Sequence, residues 1–406
     1  MKNKLSRHKR SRGPRQRRAA PGSPPGLLPP TQAALPADVR IIAYGPEGSN
    51  EEHPADLADI PRLLAEHPVV WVSIVGLEDT ATLARIGELF GLHPLALEDV
   101  VQFHEHPKSE PYGDNLLVIA RIAKMGDEVE SDQFSMFLGR NFVVTFQQQS
   151  DTQFDPVRQR IRAGQNHLST AGAGYLAYAL LDCLIDGYFP IVEELGDRLE
   201  ALEDEALERP GPICMHRIHA VKRDLRTLRR AVWPLRDTLN VLSHESSQLI
   251  DDNARLHLRD CFDHTVQLID LTEMYRELGA DLTELYLSSQ GNRMNEVMRI
   301  LTVIATLFMP LSFITGLYGM NFNPNVSKWN MPELNWRYGY PAVLAVLWLI
   351  ALVMLGFFYH KGWLRNFSST ALPVESSEPS NTFAVGAGAN KHPLPAGGNG
   401  SQPRIE

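Results

Sequence analysis

Seven residues between Asn295 and Gly316 recur at alternating intervals of three and four: Asn295, Met298, Thr302, Ala305, Met309, Ser312 and Gly316. On a helix that spacing makes an a/d seam over three heptads, a stripe of amide, hydroxyl, thioether and small side chains. The other faces carry Val297, Ile300, Leu301, Val303, Ile304, Leu307, Phe308, Leu311, Phe313 and Ile314. A helix bathed only in lipid is apolar all round, so the stripe points at protein or water. Small residues let helix backbones approach closely in a membrane, with Asn295, Thr302 and Ser312 as hydrogen-bonding glue. Alternatively, several copies of the helix around an axis would repeat each stripe residue as a ring lining a path. The stripe holds no carboxylate, and that bears on the ion such a path would pass. Mg2+ sheds its water reluctantly. Rings of amide, hydroxyl and carbonyl groups can hydrogen-bond to the hydration shell, while Met298 and Met309 would make apolar constrictions that gate by dewetting. Periodicity leaves contact and pore both open.

The elements that must position this stripe are legible around it. Residues 295–318 and 340–360 form two apolar stretches, the first charged only at Glu296 and Arg299 near its start, and the span from Tyr340 to Tyr359 without any charge. Each has about the 20 residues needed to cross ~30 Å of hydrocarbon. The loop between them, 319–339, contains Lys328, Glu333 and Arg337, whereas His360, Lys361 and Arg365 follow the second span. That bias puts the C-terminus in the cytoplasm, and two spans then return the N-terminal body to the same side. Trp329, Trp336 and Trp363 sit where interfacial anchors do.

Residues 156–294 read as a helical stalk domain. One helix is expected from Tyr175 to Leu207, a reversal at Pro210-Gly211-Pro212, a second helix from Ile213 to Leu242, and a third from near Leu249. In the third, Leu271, Met274, Leu278, Leu282 and Leu285 recur at helical spacing and are expected to form its buried face. Pro310 is the first proline after Pro234, so this helix can run unbroken into the first span. Residues 38–155 read as an α/β domain with strands at Val69–Ile74, Leu116–Ile122, Gln133–Leu138 and Phe142–Phe146 and a helix from Asp79 to Phe90. It holds no phosphate loop, nucleophile elbow or dinucleotide fingerprint, and although Asp182 and Asp186 lie one helical turn apart, nothing beside them makes a hydrolase. No enzyme is expected. Residues 1–37 form a basic, Pro-rich arm and 361–406 a Ser/Pro/Gly-rich tail, both expected to be disordered.

Composition excludes other classes. The nine basic residues up to Arg18 are the only charges before Asp38, so the remaining body is more acidic than the formal −9 of the 406-residue chain. That argues against a nucleic-acid partner. Cys183, Cys214 and Cys261 are dispersed and odd in number, which fits a reducing compartment.

Tyr318-Gly319-Met320-Asn321-Phe322 resembles the GMN signature of the CorA family of magnesium channels. Asn295-Glu296-Val297-Met298, Phe308-Met309-Pro310-Leu311, Met331-Pro332-Glu333-Leu334, Trp233-Pro234-Leu235-Arg236 and the run from His93 to Asp99 are similar to that family's text. The resemblance covers roughly residues 39–364. It implies an α+β membrane protein: a cytoplasmic α/β domain, a long helical stalk and two C-terminal spans, assembled as a funnel-shaped homopentamer in the inner (plasma) membrane with both termini cytoplasmic. Mg2+, and also Co2+ and Ni2+, would enter hydrated down the electrochemical gradient. Gly319, Met320 and Asn321 would be the selectivity filter, and Asn295, Met298, Thr302, Met309, Ser312 and Gly316 would line the pore below it, with Leu301 as a hydrophobic gate. Glu333 would raise cation concentration at the entrance.

The family also closes its channel with cytoplasmic Mg2+ bound between subunits. Asp99 and Glu284 match the main pair, Glu284 standing where relatives commonly carry Asp. Glu98, Asp182 and Asp260 match a second set. The expected partners are thus copies of the same chain, membrane lipid and divalent cations, with no nucleic acid. Two alternatives remain: a zinc or cobalt/nickel transporter of the same fold, or a membrane-tethered cytosolic sensor. The intact Met320 favours the magnesium branch.

Overall fold

Alternate residues of Val69–Val75 enter two different cores. Val70, Val72 and Ile74 belong to one buried cluster, Val69 and Trp71 to another. A strand covered on both faces is apolar at nearly every position, which is why this run, Ser73 apart, reads as near-continuous hydrophobic text. In the computed structural model the described residues are 26, 36–53, 55–102, 105–149, 152–164, 167–244, 248–323, 326–327, 329–332 and 336–363. The chain divides into two compact units, Met1–Met294 and Asn295–Glu406. The expected disordered arm and tail lie outside the described residues, apart from Gly26, Pro36, Ala37 and residues 361–363. Lys328 and Glu333 lie outside them as well.

The first unit contains strands β1 (Asp38–Gly45), β2 (Gly48–Glu52), β3 (Val69–Val75), β4 (Lys108–Tyr112), β5 (Asn115–Met125), β6 (Val129–Leu138) and β7 (Phe142–Gln147). They form one sheet in the order β2-β1-β3-β7-β6-β5-β4. Only the β3–β7 pairing is parallel, with Val70 opposite Phe142. The four strands expected from sequence are present, and three more flank or extend them. Two of those, β2 and β4, are the sheet's edges; their text, GSNEE and KSEPY, lacks apolar alternation because a polar or Pro-bearing edge resists pairing with a second sheet.

Helices cover both faces. α1 (Ile60–Glu66), α2 (Thr80–Phe90) and α3 (Pro94–Val101) share the cluster with Val70, Val72, Leu117 and Val144. α4 (Asp155–Ala163), α5 (Ala173–Asp186), α6 (Phe189–Glu208) and α7 (Pro212–His244) share the cluster with Trp71, Val118, Met136 and Val143. The helix expected from Asp79 starts as read: the Asp79 carboxylate accepts from Thr82 N at 3.1 Å and from the Thr82 hydroxyl at 2.7 Å, a side-chain N-cap.

The single helix expected over Tyr175–Leu207 is instead two. Pro190 has no N–H to give the preceding turn, and Gly187 and Tyr188 form the break. The Tyr188 ring is fully buried there, and its hydroxyl donates to the Arg121 carbonyl. At Gly187 an added Cβ would meet Gln153 Nε2 at 2.6 Å, so a larger residue there would have to move the end of the Gln153 side chain. α8 (Asp252–Tyr318) is a single helix of 67 residues with Pro310 inside it. It begins at Asp252 rather than near Leu249, because Asp251 accepts the Ala254 N–H at 2.7 Å and caps it.

Its buried face also differs from the expected one. In the first unit Ala254, Leu258, Cys261, Thr265, Leu268, Thr272, Gly279 and Leu282 are the buried positions; of the expected face Leu282 is buried, Leu271, Leu278 and Leu285 are half-buried against the core, and Met274 is 51% exposed. The true seam passes through hydroxyls, which hides it from a hydrophobicity reading. Each is satisfied one turn back: Thr265 Oγ1 donates to Cys261 O at 2.8 Å and Thr272 Oγ1 to Leu268 O at 2.7 Å.

The second unit contains the final turns of α8 from Asn295 and the helix α9 (Gly339–His360). α9 has 22 residues, or about 33 Å at 1.5 Å per residue. Both helices are long and apolar enough to cross a membrane, and the apolar windows are 0% and 6% buried inside the chain. The α5–α6 region also passes on length and composition, but its window is 67% buried; its apolar side chains belong to the sheet's core.

Candidate ion path and cation sites

All seven stripe positions are exposed on α8: Asn295, Met298, Thr302, Ala305, Met309, Ser312 and Gly316. The less exposed positions of the same turns are Glu296, Arg299, Ile300, Val303, Leu307, Pro310, Leu311 and Ile314. At ~100° per residue these two sets are centred about 150° apart around the helix. The stripe lies opposite the covered face, within an exposed arc that also carries Val297, Ile304, Phe308 and Phe313; its residue types, not its exposure, set it apart. Thr302 Oγ1 donates to Met298 O at 2.7 Å, so its oxygen lone pairs remain for an outside donor. An added Cβ at Gly316 would meet nothing within 4 Å, so no neighbour within the chain calls for glycine there. Leu301, 59% exposed, lies at the stripe's border.

The signature residues close the helix. Gly319 N donates to Thr315 O at 2.9 Å and Met320 N to Leu317 O at 3.3 Å. A Cβ on Gly319 would lie 3.2 Å from the Thr315 carbonyl, so a bare backbone eases this turn. Met320 and Asn321 are exposed, and the Asn321 amide has no partner among the described residues. Beyond it, Asn330 Nδ2 donates to Asn323 O at 2.9 Å and ties the loop across seven residues.

The acids expected to bind cytoplasmic cations fall into separate settings. Asp99 on α3 is paired with Lys108 at 2.7 Å, and Lys108 also reaches Glu110 at 3.1 Å. Burial works against the Lys108 charge, but the hydrogen bonds to Asp99 and Glu110 outweigh it and raise its pKa above the ordinary lysine value. Glu284 on α8 is exposed, and no ion pair or hydrogen bond joins it to Asp99 within the chain. Glu98 accepts from Gly26 N at 2.7 Å and from Gln102 Nε2 at 2.9 Å. Asp260 is exposed on α8.

Asp182 is the most deeply set of the group. It accepts weakly from the Cys261 thiol at 3.7 Å and from the Tyr178 hydroxyl at 3.5 Å. Burial, and then the neighbouring Asp186 charge, push its pKa above the ordinary aspartate value. Its closest chemical companions are Asp186 and His264, whose ligand atoms all lie within 4.8 Å of one another. The spacing of Asp182 and Asp186, one turn apart, is visible in the sequence; nothing in the sequence marks His264, which arrives from α8, or Lys108 as the counter-charge of Asp99.

A family model described as CorA-like Mg2+ transporter protein matches residues 66–361. The cobalt/magnesium transport protein CorA of Thermotoga maritima is 39% identical over 350 residues, which covers 85% of this chain and 98% of that protein. The solved structure of the complete CorA magnesium transporter from Methanocaldococcus jannaschii aligns with a TM-score of 0.68 at 23% identity, over 82% of this chain and 100% of that one. The soluble domain of the same protein aligns with a TM-score of 0.54 at 20% identity, over 61% and 96%. The two structures carry the fold, and the sequence matches carry the descent. With the family model reaching from the first unit into the second, and the Thermotoga protein matched over nearly its whole length, this chain belongs to the CorA family.

Proposed function

We propose that the chain is a subunit of a homopentameric divalent-cation channel that admits hydrated Mg2+, and also Co2+ and Ni2+, to the cytoplasm down the electrochemical gradient. The observation that carries this reading is the bare stripe on α8. Seven amide, hydroxyl, thioether and small positions all face away from the chain's own atoms, on a helix whose apolar window is unburied. Five such helices around an axis turn each position into a ring. Asn321 rings at the mouth offer amide oxygens to a hydration shell, and Asn295, Thr302 and Ser312 rings do so lower down. Met298, Leu301 and Met309 narrow the path with apolar side chains that exclude water until the pore widens. Glu333 enriches cations at the entrance.

Cytoplasmic Mg2+ closes this channel by bridging subunits at Asp99 and Glu284, with Glu98, Asp182 and Asp260 as a second set. These are all-oxygen donors, which suits a hard cation that keeps part of its water. A bridging ion favours only the conformation in which both acids can reach it, and depletion releases that constraint. Residence in the inner membrane with both termini cytoplasmic completes the reading.

The test is Mg2+ uptake into proteoliposomes under an inside-negative potential, wild type beside Asn321→Ala. Loss of flux on substitution is expected. Equal flux in both overturns the filter assignment, and no flux in either inserted protein favours a tethered sensor.

A further inference from the structure

We propose that Asp182, Asp186 and His264 form a transition-metal site within a single subunit, taking Co2+, Ni2+ or Zn2+ in preference to Mg2+. It goes beyond the channel reading and does not depend on it, because every ligand lies in the first unit of one chain. It shares Asp182 with the second regulatory set but not Glu98 or Asp260.

The ligand geometry comes from two helices. Asp182 and Asp186 are four residues apart on α5, so their carboxylates project from the same face. His264 comes from α8 and brings the third ligand atom within 4.8 Å of the other two. Ligands around a cation at about 2.0–2.2 Å stand roughly 3–4 Å apart, so a small side-chain adjustment closes the set.

Two independent features ask for a cation there. The first is the imidazole: His264 Nδ1 is buried and has no hydrogen-bond partner, a condition that buried polar atoms rarely tolerate. The second is charge. Asp186 ends α5, where the helix dipole already places partial negative charge, and Asp182 lies one turn before it. Among the described residues no Lys or Arg forms an ion pair with either acid, and their carboxylates lie within 4.8 Å of each other.

The donor set decides which metal. Mg2+ takes oxygen ligands and gains little from an imidazole, whereas imidazole suits Zn2+, Co2+ and Ni2+. Cys261 is buried, and its thiol donates to the Asp182 carboxylate. The site is therefore one nitrogen and two carboxylates, with open positions for water.

The experiment is a Co2+ titration of the metal-free full-length protein in detergent, followed by visible d–d absorption and by thermal shift, with and without a large excess of Mg2+. Wild type is expected to develop a saturable band that survives the Mg2+. His264→Gln and Asp186→Asn are each expected to weaken Co2+ binding at this site at least about tenfold, the scale on which metal sites respond to loss of a supporting group. Asp186 is exposed, so its variant reports on the metal without threatening the fold. Asp237→Asn and Glu66→Gln, exposed acids on α7 and α1, should leave the band unchanged. A titration in His264→Gln and Asp186→Asn indistinguishable from wild type overturns the proposal, as does a band erased by Mg2+. Loss of channel flux plays no part in this readout, so the two readings fail separately.

Discussion

At Asp182, burial and then a second carboxylate four residues on disfavour ionisation. Its pKa is raised in the folded protein, so the charged form costs stability at pH values above that raised pKa. The cost disappears as pH falls below the ordinary aspartate value of about 3.9. Asp182→Asn, which keeps an acceptor for Tyr178 and Cys261, is therefore expected to raise Tm at neutral pH in chelator. The gain should vanish in acid; a lower Tm at neutral pH would refute the assignment.

Asp99 shows the opposite arrangement, a carboxylate already held by a tethered ammonium. Any cation that binds Asp99 must displace Lys108 or share the acid with it. Lys108→Met is expected to lower the internal Mg2+ needed for half-inhibition of flux by up to about fivefold, the equivalent of ~1 kcal/mol for a partly exposed pair. Unchanged half-inhibition would separate Lys108 from the response.

At the scale of elements, α8 shows how a hydrophobic pattern misleads when a seam uses threonine. Leu268, fully buried, lies on the true seam, whereas Met274 faces away from the unit's own core. Leu268→Ala should cost about 2–5 kcal/mol, read as a clear fall in thermal stability. Met274→Ala should cost the same unit little, and a comparable loss from both would put the seam elsewhere. The α5–α6 break follows from a different cause: Pro190 and the buried Tyr188 hydroxyl fix the point where one helix ends. That break leaves Asp186 as the last residue of α5, where its side chain meets Asp182 and His264.

At the scale of the whole molecule, the second unit exposes Phe308, Met309, Phe313, Trp348 and Leu349 by more than half. Such a surface belongs in lipid or against other subunits, and the stripe sorts the two. In the assembled channel, cysteine at Thr302, Ser312 or Met309 is expected to react with a membrane-impermeant thiol reagent, and cysteine at Phe308 or Phe313 to resist it. Cys214 and Cys261 are buried and Cys183 is partly so, which keeps the native background low. Equal labelling of both faces would remove the distinction between pore and lipid that the proposed assembly requires.

The sequence by itself determined what repeats locally. The two long apolar helices follow from 20-residue apolar runs, the stripe from a three-four spacing, the inner strands from apolar text buried on both faces, and the family resemblance from short motifs such as Gly319-Met320-Asn321. The tertiary structure decided what depends on distant chain segments meeting. It placed His264 of α8 beside Asp182 and Asp186 of α5, set Lys108 against Asp99, and turned two polar segments into sheet edges. It also routed the α8 seam through Thr265 and Thr272. None of these leaves a periodic trace, because a hydrogen bond or an ion pair needs only one partner at the right distance, and that distance is set by packing rather than by spacing along the chain.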